Sequence, residues 1–157
     1  MYAVRAVVIA LSICLLPTTI PAQDDGIPAE VKEICEKYGT EYDICPELLE
    51  AICYNESRFT AKAENGPCKG IMQINITAHK DRMEKLGVTD IWDIDNNIHV
   101  GADYLAELFE TYEDVGAVLG SYHGERSAVS KAKKGQLSGY TKRILKRAES
   151  YERLHGK

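Results

Sequence analysis

The chain has 157 residues, 45% of them hydrophobic, and a formal net charge of −5 at pH 7. This length is typical of one domain with one modest core, and neither repeats nor low-complexity tracts indicate a solenoid or a disordered protein. The charge is uneven, since only Glu149 and Glu152 are acidic beyond residue 125, where Lys and Arg are frequent. With neither aromatic interleaving nor a base-reading motif, this region is interpreted as a solvated, charge-compensating face, and no nucleic acid is expected.

The N-terminal segment, residues 1–22, is predicted to be a secretion signal. Arg5 precedes the apolar run Ala6–Leu16, and Pro17 and the small residue Ala22 follow. The run is short for a bilayer span of ~20 residues, which favours cleavage and leaves an uncleaved membrane anchor as the alternative. The mature domain would then cover residues 23–157 and lie outside the cytoplasm, secreted or associated with the cell wall.

The cysteines predict disulfides. Cys14 belongs to the signal segment, which leaves Cys35, Cys45, Cys53 and Cys68, an even number in a chain bound for an oxidising compartment. Pairing Cys35 with Cys45 and Cys53 with Cys68 is favoured because each bond would tie a helix to its adjoining loop, but all three pairings stay open. A four-thiolate zinc site needs closer cysteine pairs, so no metal is expected.

Most of the mature chain is predicted to be helical, which makes the fold class all-α. Helices are expected over Pro28–Tyr38, Pro46–Arg58, Asn96–Tyr112, Val115–Tyr122, Ser127–Lys134 and Tyr140–Leu154. Gly39 is expected to end the first of them. Turn residues indicate a loop over Thr60–Lys69, and the apolar segment Gly70–Ile76 follows. No run shows convincing strand alternation, although 70–74 is compatible with an extended segment.

Glu56 is the candidate catalytic residue. Leu49, Ile52 and Glu56 stand at spacings of three and four, so all three lie on one helix face, which must be the buried one. Burial and the nearby helix C-terminus both disfavour a negative charge and are expected to raise the pKa of Glu56. A carboxylic acid that keeps its proton is what glycosidic bond cleavage requires. On periodicity alone, a glutamate that swings into solvent is an equal alternative.

The surrounding motifs resemble the soluble lytic transglycosylase family, which is related to goose-type lysozymes. The resemblance depends mainly on two segments: residues 51–59, which include Glu56-Ser57, and Gly70-Ile71-Met72-Gln73-Ile74. Weaker matches follow in the family's order: Asn97-Ile98, Gly101, Tyr104-Leu105, Ser121-Tyr122 and Tyr140. The resemblance spans nearly the whole mature chain. It departs at Ser121 and His123, where the family usually has alanine and asparagine.

The resemblance implies a single lysozyme-like helical domain and peptidoglycan glycan strands as the partner. Glu56 would protonate the oxygen between N-acetylmuramic acid and N-acetylglucosamine, then accept the proton of the C6 hydroxyl as that oxygen attacks C1. The product would be a 1,6-anhydro sugar. No cofactor and no second protein carboxylate are implied, and a monomer that does not bind a membrane is expected if the signal is removed.

Supporting roles follow for five residues. Ser57 and Gln73 are expected to hydrogen-bond the sugar, with a local backbone cap as the alternative for Ser57. Met72 is expected to line the groove, with core packing as the alternative. Tyr122 would stack on a sugar ring, and Tyr140 would hydrogen-bond Glu56 and orient it.

His123 introduces a titratable group where the family has asparagine. Both side chains donate and accept hydrogen bonds, so the position remains compatible with a groove. We predict that His123 contributes to the groove and influences activity between about pH 5 and 8. An exposed loop histidine without function is the alternative.

Two other functions remain open. A goose-type hydrolase would use the same Glu56 but add water, which calls for a second carboxylate ~6.5 to 9.5 Å away in an inverting enzyme, with Asp90, Asp93 and Asp95 as candidates. A wall-binding protein without turnover is the other alternative. The intact Glu56 weighs against it, because a buried acid costs stability that binding alone does not require.

Overall fold

A computed structural model describes residues 25–157, so the expected signal segment and Cys14 lie outside the described range. The described chain is mainly helical, which confirms the all-α prediction. Its helices are α1 (Ala29–Tyr42), α2 (Pro46–Ser57), α3 (Lys80–Lys85), α4 (Ile94–Thr111), α5 (Val115–Tyr122), α6 (Ala128–Ala132) and α7 (Gly139–Leu154). Three two-residue strands, β1 (Glu64–Asn65), β2 (Cys68–Lys69) and β3 (Ile74–Asn75), pair antiparallel in chain order.

Helix α2 lies at the centre of the core. Leu49, Ile52 and Cys53 are fully buried, and the helix packs against both α1 and α7. A helix that is apolar around most of its circumference is stable only inside a domain. Glu56 therefore lies at the C-terminal end of α2, where the helix leaves the core, on the same face as Leu49 and Ile52.

Helix α1 continues past the predicted stop at Gly39 to Tyr42. A Cβ atom at Gly39 would lie 2.6 Å from the backbone oxygen of Ile44 and 2.9 Å from the ring of Pro46. Glycine is thus required for close packing of α1 against the start of α2, and the prediction that it ends the helix was wrong. Asp43, with φ of 55°, provides the left-handed residue that ends α1.

The sheet and α3 were not predicted. Strands of two residues are too short to show an alternation of polar and apolar side chains. Residues 70–73 form turns, and only Ile74 of the apolar segment that was compatible with an extended conformation lies in a strand. Helix α3 has no buried residue, so it lacks the apolar periodicity by which helices are found.

The expected disulfide pairing is not found, because the four described cysteines are free thiols. Cys35 lies beside Cys53 in the contact between α1 and α2, and both are fully buried. The adjacent Cys53 thiol and burial raise the pKa of Cys35. Cys45 is exposed, with its Sγ 3.1 Å from Oε2 of Glu47. Disulfide formation stays a prediction, but the fold brings Cys35 to Cys53 and not to Cys45.

A cluster of charged residues joins the two ends of the described chain. Nδ1 of His155 lies 2.9 Å from Oε1 of Glu47, and Nε2 lies 2.9 Å from Oδ2 of Asp25. Lys32 also pairs with Asp25, and Nζ of Lys157 lies 2.6 Å from Oε1 of Glu47. Since each ring nitrogen faces a carboxylate oxygen, both are donors, which requires the charged imidazolium.

The cluster shifts the pKa values of its members. Burial opposes the charged form of His155, but the hydrogen bonds to Glu47 and Asp25 prevail and raise its pKa. Burial likewise opposes ionisation of Asp25 and Glu47, yet Lys32, Lys157 and His155 lower both pKa values to about 2. The histidine contribution to stability is complete below its unfolded pKa of ~6.5 and is lost as the pH rises through the raised value. The carboxylate contributions are present above ~4 and are lost toward pH 2.

Replacing His155 with glutamine is therefore expected to lower the free energy of unfolding by about 1 to 2 kcal/mol at pH 5.5. The deficit relative to the wild type should shrink as the pH rises past the raised pKa of His155. Denaturant unfolding at pH 5.5 and 8.5 measures both quantities. Arg153→Gln, which removes an exposed pair with Glu149 on the same helix, should change stability by less than about 0.5 kcal/mol. A deficit for His155→Gln that is the same at both pH values would contradict the role of the imidazolium.

Among the described residues, no helix is both long enough and apolar enough to cross a bilayer.

Candidate active site

Glu56 lies at the point where α2 ends. Arg58 and Phe59 both have left-handed backbone conformations, with φ of 52° and 62°, and the N–H of Arg58 donates to the carbonyl of Tyr54. Two successive left-handed residues turn the chain sharply away from the helix axis. Glu56 consequently sits in the last turn of α2, close to the negative end of the helix dipole.

Glu56 is half-buried and hydrogen-bonded to α7. The hydroxyl of Tyr140 donates to Oε1 of Glu56 at 2.6 Å, joining residues 84 positions apart. Burial raises the pKa of Glu56, whereas the Tyr140 hydrogen bond and the charge of His123 oppose that rise. Burial prevails, so the pKa of Glu56 lies above its ordinary value. A carboxyl group in this environment is suited to donating a proton.

A groove of about 330 Å³ opens in front of Glu56. The small sheet, the turn before α3, one face of α4 and the end of α5 all contribute to its walls. The lining residues are Glu56, Asn65, Cys68, Gln73, Ile74, Asn75, His79, Tyr104, Tyr122, His123 and Gly124. The lining mixes polar side chains with aromatic rings, a combination suited to binding sugars or other polar ligands.

Asn97 fixes the wall of the groove that contains the Gly70–Ile74 motif. Its Oδ1 accepts from the backbone N–H of Met72 at 2.8 Å, and its Nδ2 donates to the carbonyls of Lys69 and Ile91 at 3.0 and 2.8 Å. Gly70 has φ of +78°, and a Cβ there would lie 2.0 Å from Nδ2 of Asn97. The motif therefore needs glycine at this position so that the asparagine amide can reach the loop backbone.

Three residues predicted to contact substrate lie in or behind this wall. Gln73 lines the groove with φ of 52°, and its Nε2 donates to the carbonyls of Ala63 and Gly70. The Ser57 hydroxyl donates to the carbonyl of Ile71 at 2.7 Å and does not line the groove. Met72 is fully buried against α4, where a Cβ at Gly101 would lie 2.4 Å from its sulfur. The Ser57 oxygen also accepts from the backbone N–H of Thr60 at 3.1 Å, which is the local backbone cap given as its alternative, and the burial of Met72 is core packing.

Aromatic side chains form another part of the lining. The Tyr122 hydroxyl donates to the carbonyl of Met72 at 3.0 Å, and the Tyr122 ring lies 5.5 Å from that of Tyr104. His79 in turn lies 4.4 Å from Tyr104. The exposed His123 stacks on Tyr140, with ring centroids 4.0 Å apart and planes 11° from parallel. The structure thus brings Tyr122, His123 and Tyr140 together around Glu56.

Several lining residues were not singled out from the sequence. Tyr104 belongs to the matched motif that also contains Asn97, and this membership was the sequence feature that could have marked it as a groove residue. His79, Asn65, Cys68 and Asn75 lie in loops or two-residue strands, where no periodicity marks a side chain as facing a groove.

The three aspartates proposed as a second carboxylate do not line the groove. Oδ1 of Asp90 accepts from the N–H of Trp92, and Asp93 caps α4 by accepting from the N–H of Asn96. Asp95 pairs with Lys37 and Tyr38. Among the described residues, Glu56 is the only carboxylate in the groove lining. Glu125 lines a neighbouring cavity, where it is paired with Lys131.

Comparison with known proteins identifies similar sequences and structures. Residues 33–144 match the family model described as the Transglycosylase SLT domain. The chain is 31% identical over 87 residues to a membrane-bound lytic murein transglycosylase F of Desulfosudis oleivorans, covering 54% of this chain and 17% of that protein. It is 33% identical over 85 residues to a transglycosylase of Enterobacteria phage PRD1, covering 54% of this chain and 31% of that protein.

Two solved structures share the fold. An inactive mutant of the lytic transglycosylase Slt from Pseudomonas aeruginosa superposes with a TM-score of 0.70 at 18% identity. The 70 kDa soluble lytic transglycosylase from Escherichia coli superposes with a TM-score of 0.69 at 17% identity. Each comparison covers 83% of this chain and 25% of the other. The chain therefore spans less than a third of the length of each of these relatives.

Proposed function

The chain belongs to the Transglycosylase SLT domain family, and on that premise we propose that it is a lytic transglycosylase that cleaves the glycan strands of peptidoglycan. One observation carries the proposal: a half-buried glutamate with a raised pKa, held by a tyrosine hydroxyl, is the only carboxylate that lines the groove among the described residues. The name of the Desulfosudis oleivorans relative, a lytic murein transglycosylase, supports the substrate class.

In the proposed reaction Glu56 acts first as an acid and then as a base. Its carboxyl proton passes to the oxygen that links N-acetylmuramic acid to the next sugar, and the bond between that oxygen and C1 breaks. The C6 oxygen of the muramic acid then attacks C1, and its proton returns to the Glu56 carboxylate. The two steps restore Glu56 and leave a 1,6-anhydro end without consuming water.

The surroundings of Glu56 are suited to both steps. The raised pKa keeps the carboxyl protonated to higher pH than an ordinary glutamate, as the first step requires. The Tyr140 hydrogen bond and the electrostatic interaction with His123 stabilise the carboxylate that the first step leaves behind. Tyr122 and Tyr104 offer ring faces against which a sugar can pack. We keep Gln73 and His123 as proposed substrate contacts because both line the groove.

A hydrolase that uses the same Glu56 is the second candidate. An inverting hydrolase places a second carboxylate on the far side of the bond, ~6.5 to 9.5 Å from the acid, to activate water. Asp90, Asp93 and Asp95 are engaged elsewhere, which favours the reaction without water.

Product analysis distinguishes the two reactions. We expect digestion of purified peptidoglycan by the full chain to release muropeptides with 1,6-anhydromuramic ends. Each would be one water molecule lighter than the corresponding hydrolysis product when measured by mass spectrometry. A hydrolysing muramidase, digested in parallel, provides the reducing-end standard. Reducing ends alone would show that the chain is a hydrolase.

A further inference from the structure

A second cavity lies beside the groove and is strongly basic. It has a volume of about 340 Å³ and lies between the end of α2 and the outer face of α7. Its lining residues are Asn55, Arg143, Lys146, Arg147, Ser150 and Tyr151. Asn55 directly precedes Glu56, and Arg143 lies one helical turn beyond Tyr140, so this basic pocket lies close to Glu56 and to the tyrosine that donates a hydrogen bond to it.

The three cations of the basic pocket have no anionic partner. Among the described residues, no carboxylate oxygen lies within ion-pair distance of Arg143, Lys146 or Arg147. Elsewhere in the C-terminal region, Lys131 and Arg153 do form ion pairs. The expected charge compensation therefore does not take the form of direct ion pairs at these three residues, of which Arg143 and Lys146 are exposed to solvent. Three like charges on one helix face repel one another, so an anion bound there would relieve an unfavourable arrangement.

Arg147 is held in place by an aromatic ring. Its guanidinium carbon lies 3.6 Å from the centroid of Tyr54, whose ring packs edge-on against Phe59 at 5.5 Å. A cation–π contact of this kind holds the guanidinium over the ring, and although Arg147 also hydrogen-bonds Tyr151, its remaining N–H groups stay available as donors. A planar guanidinium held in this position suits two-point binding of a carboxylate.

A third cavity lies between the basic pocket and the groove and shares residues with both. It has a volume of about 420 Å³ and is lined by Arg143, His123, Gly124 and Tyr140, together with the paired Glu125 and Lys131. His123 and Gly124 belong to the groove as well. Three adjoining cavities therefore extend from the groove, past the stacked His123 and Tyr140 rings, to the three cations on α7.

We infer that the basic pocket binds the carboxylates of the peptide stem that muramic acid carries. The inference rests on the proposed function, because it takes the ligand to be part of the same substrate. Every stem is attached to the sugar beside the scissile bond and has several free carboxylates, so a strand in the groove presents anions close to α7. Since the net charge of the chain is negative, such anions need a local basic site.

Binding of isolated stems gives the most direct test. The probes are an N-acetylated stem pentapeptide with free carboxylates and the same peptide with its carboxylates amidated. The protein is the full chain with Glu56→Gln, which removes turnover. We expect the free-carboxylate peptide to bind about tenfold more tightly than the amidated one at 50 mM salt, with the difference decreasing at 200 mM. Equal affinity for the two peptides would overturn the inference.

A pair of double variants locates the site. Arg143→Gln with Lys146→Gln should weaken binding of the free-carboxylate peptide by about tenfold. Lys133→Gln with Lys134→Gln removes the same charge from exposed lysines of the same region outside the basic pocket. This control should bind the peptide within about twofold of the parent. Equal losses in both double variants would show a general effect of charge and would overturn the inference, as would a preference for anionic phospholipid vesicles over the peptide.

These results remain interpretable whichever way the proposed function is decided. If the unmodified chain releases no anhydro ends but the peptide binds as described, the proposed function fails and the pocket assignment stands. If anhydro ends form but the Arg143→Gln, Lys146→Gln variant binds stems as the parent does, the pocket assignment fails alone.

Discussion

Replacing Glu56 with glutamine is expected to lower the rate of glycan cleavage by about 10²- to 10⁴-fold. Glutamine keeps the size of the side chain and can still accept the Tyr140 hydrogen bond, but it has no proton to give to the leaving oxygen. Loss of turbidity of a purified cell-wall suspension measures the rate, and mass spectrometry of the released muropeptides measures the products.

The same substitution should leave the fold intact. Burial raises the pKa of Glu56, so the ionised carboxylate carries a desolvation cost that neutral glutamine avoids. The thermal midpoint of Glu56→Gln should therefore equal or exceed that of the wild type. Glu113→Gln is the matched control, since Glu113 is exposed and does not line the groove. Wild-type cleavage by folded Glu56→Gln would rule out Glu56 as the acid.

The sequence supplied the position of Glu56 because two independent patterns meet there. The spacing from Leu49 and Ile52 placed it on the buried face, and both residues are fully buried in the structure. The Glu56-Ser57 motif then connected it to a chemistry. Periodicity alone could not distinguish a groove glutamate from one that reaches solvent, because both lie at the end of a helix.

Contacts between residues that are far apart in the sequence could not be predicted from local sequence patterns. Tyr140 lies 84 residues from Glu56, so only the resemblance to a family suggested their hydrogen bond. The matched motifs also did not show which of their residues face the groove and which are buried behind its wall. Gln73 lines the groove, whereas the neighbouring Met72 is buried behind it, because the loop from Gly70 to Ile74 exposes only some of its side chains.

The unpaired cations of α7 show a further limit of sequence patterns. An excess of lysine and arginine opposite an acidic body suggested mutual compensation, and this holds for Lys131 with Glu125. The charge composition of a segment does not show which side chains form ion pairs. Arg143, Lys146 and Arg147 project into a cavity beside α2, where Asn55 and Tyr151 offer no negative charge.

Removing the hydroxyl of Tyr140 is expected to lower kcat by about 10- to 100-fold, because the Glu56 carboxyl loses the contact that fixes its direction toward the leaving oxygen. Tyr140→Phe keeps the ring, so the stacking of His123 on residue 140 should persist. The rate is measured by release of anhydromuropeptides. Tyr112→Phe, which removes a hydroxyl outside the groove lining, should leave the rate within about twofold of the wild type.

The pH profile shows whether the hydroxyl acts through Glu56. The Tyr140 hydrogen bond lowers the pKa of Glu56, so its removal should raise that pKa further above the ordinary value. Because the first step needs protonated Glu56, activity falls as the pH rises through this pKa. The alkaline limb of the kcat profile should consequently move to higher pH in Tyr140→Phe, even though the maximal rate is lower. A lower rate with an unmoved alkaline limb would show that Tyr140 supports the groove without controlling the charge of Glu56.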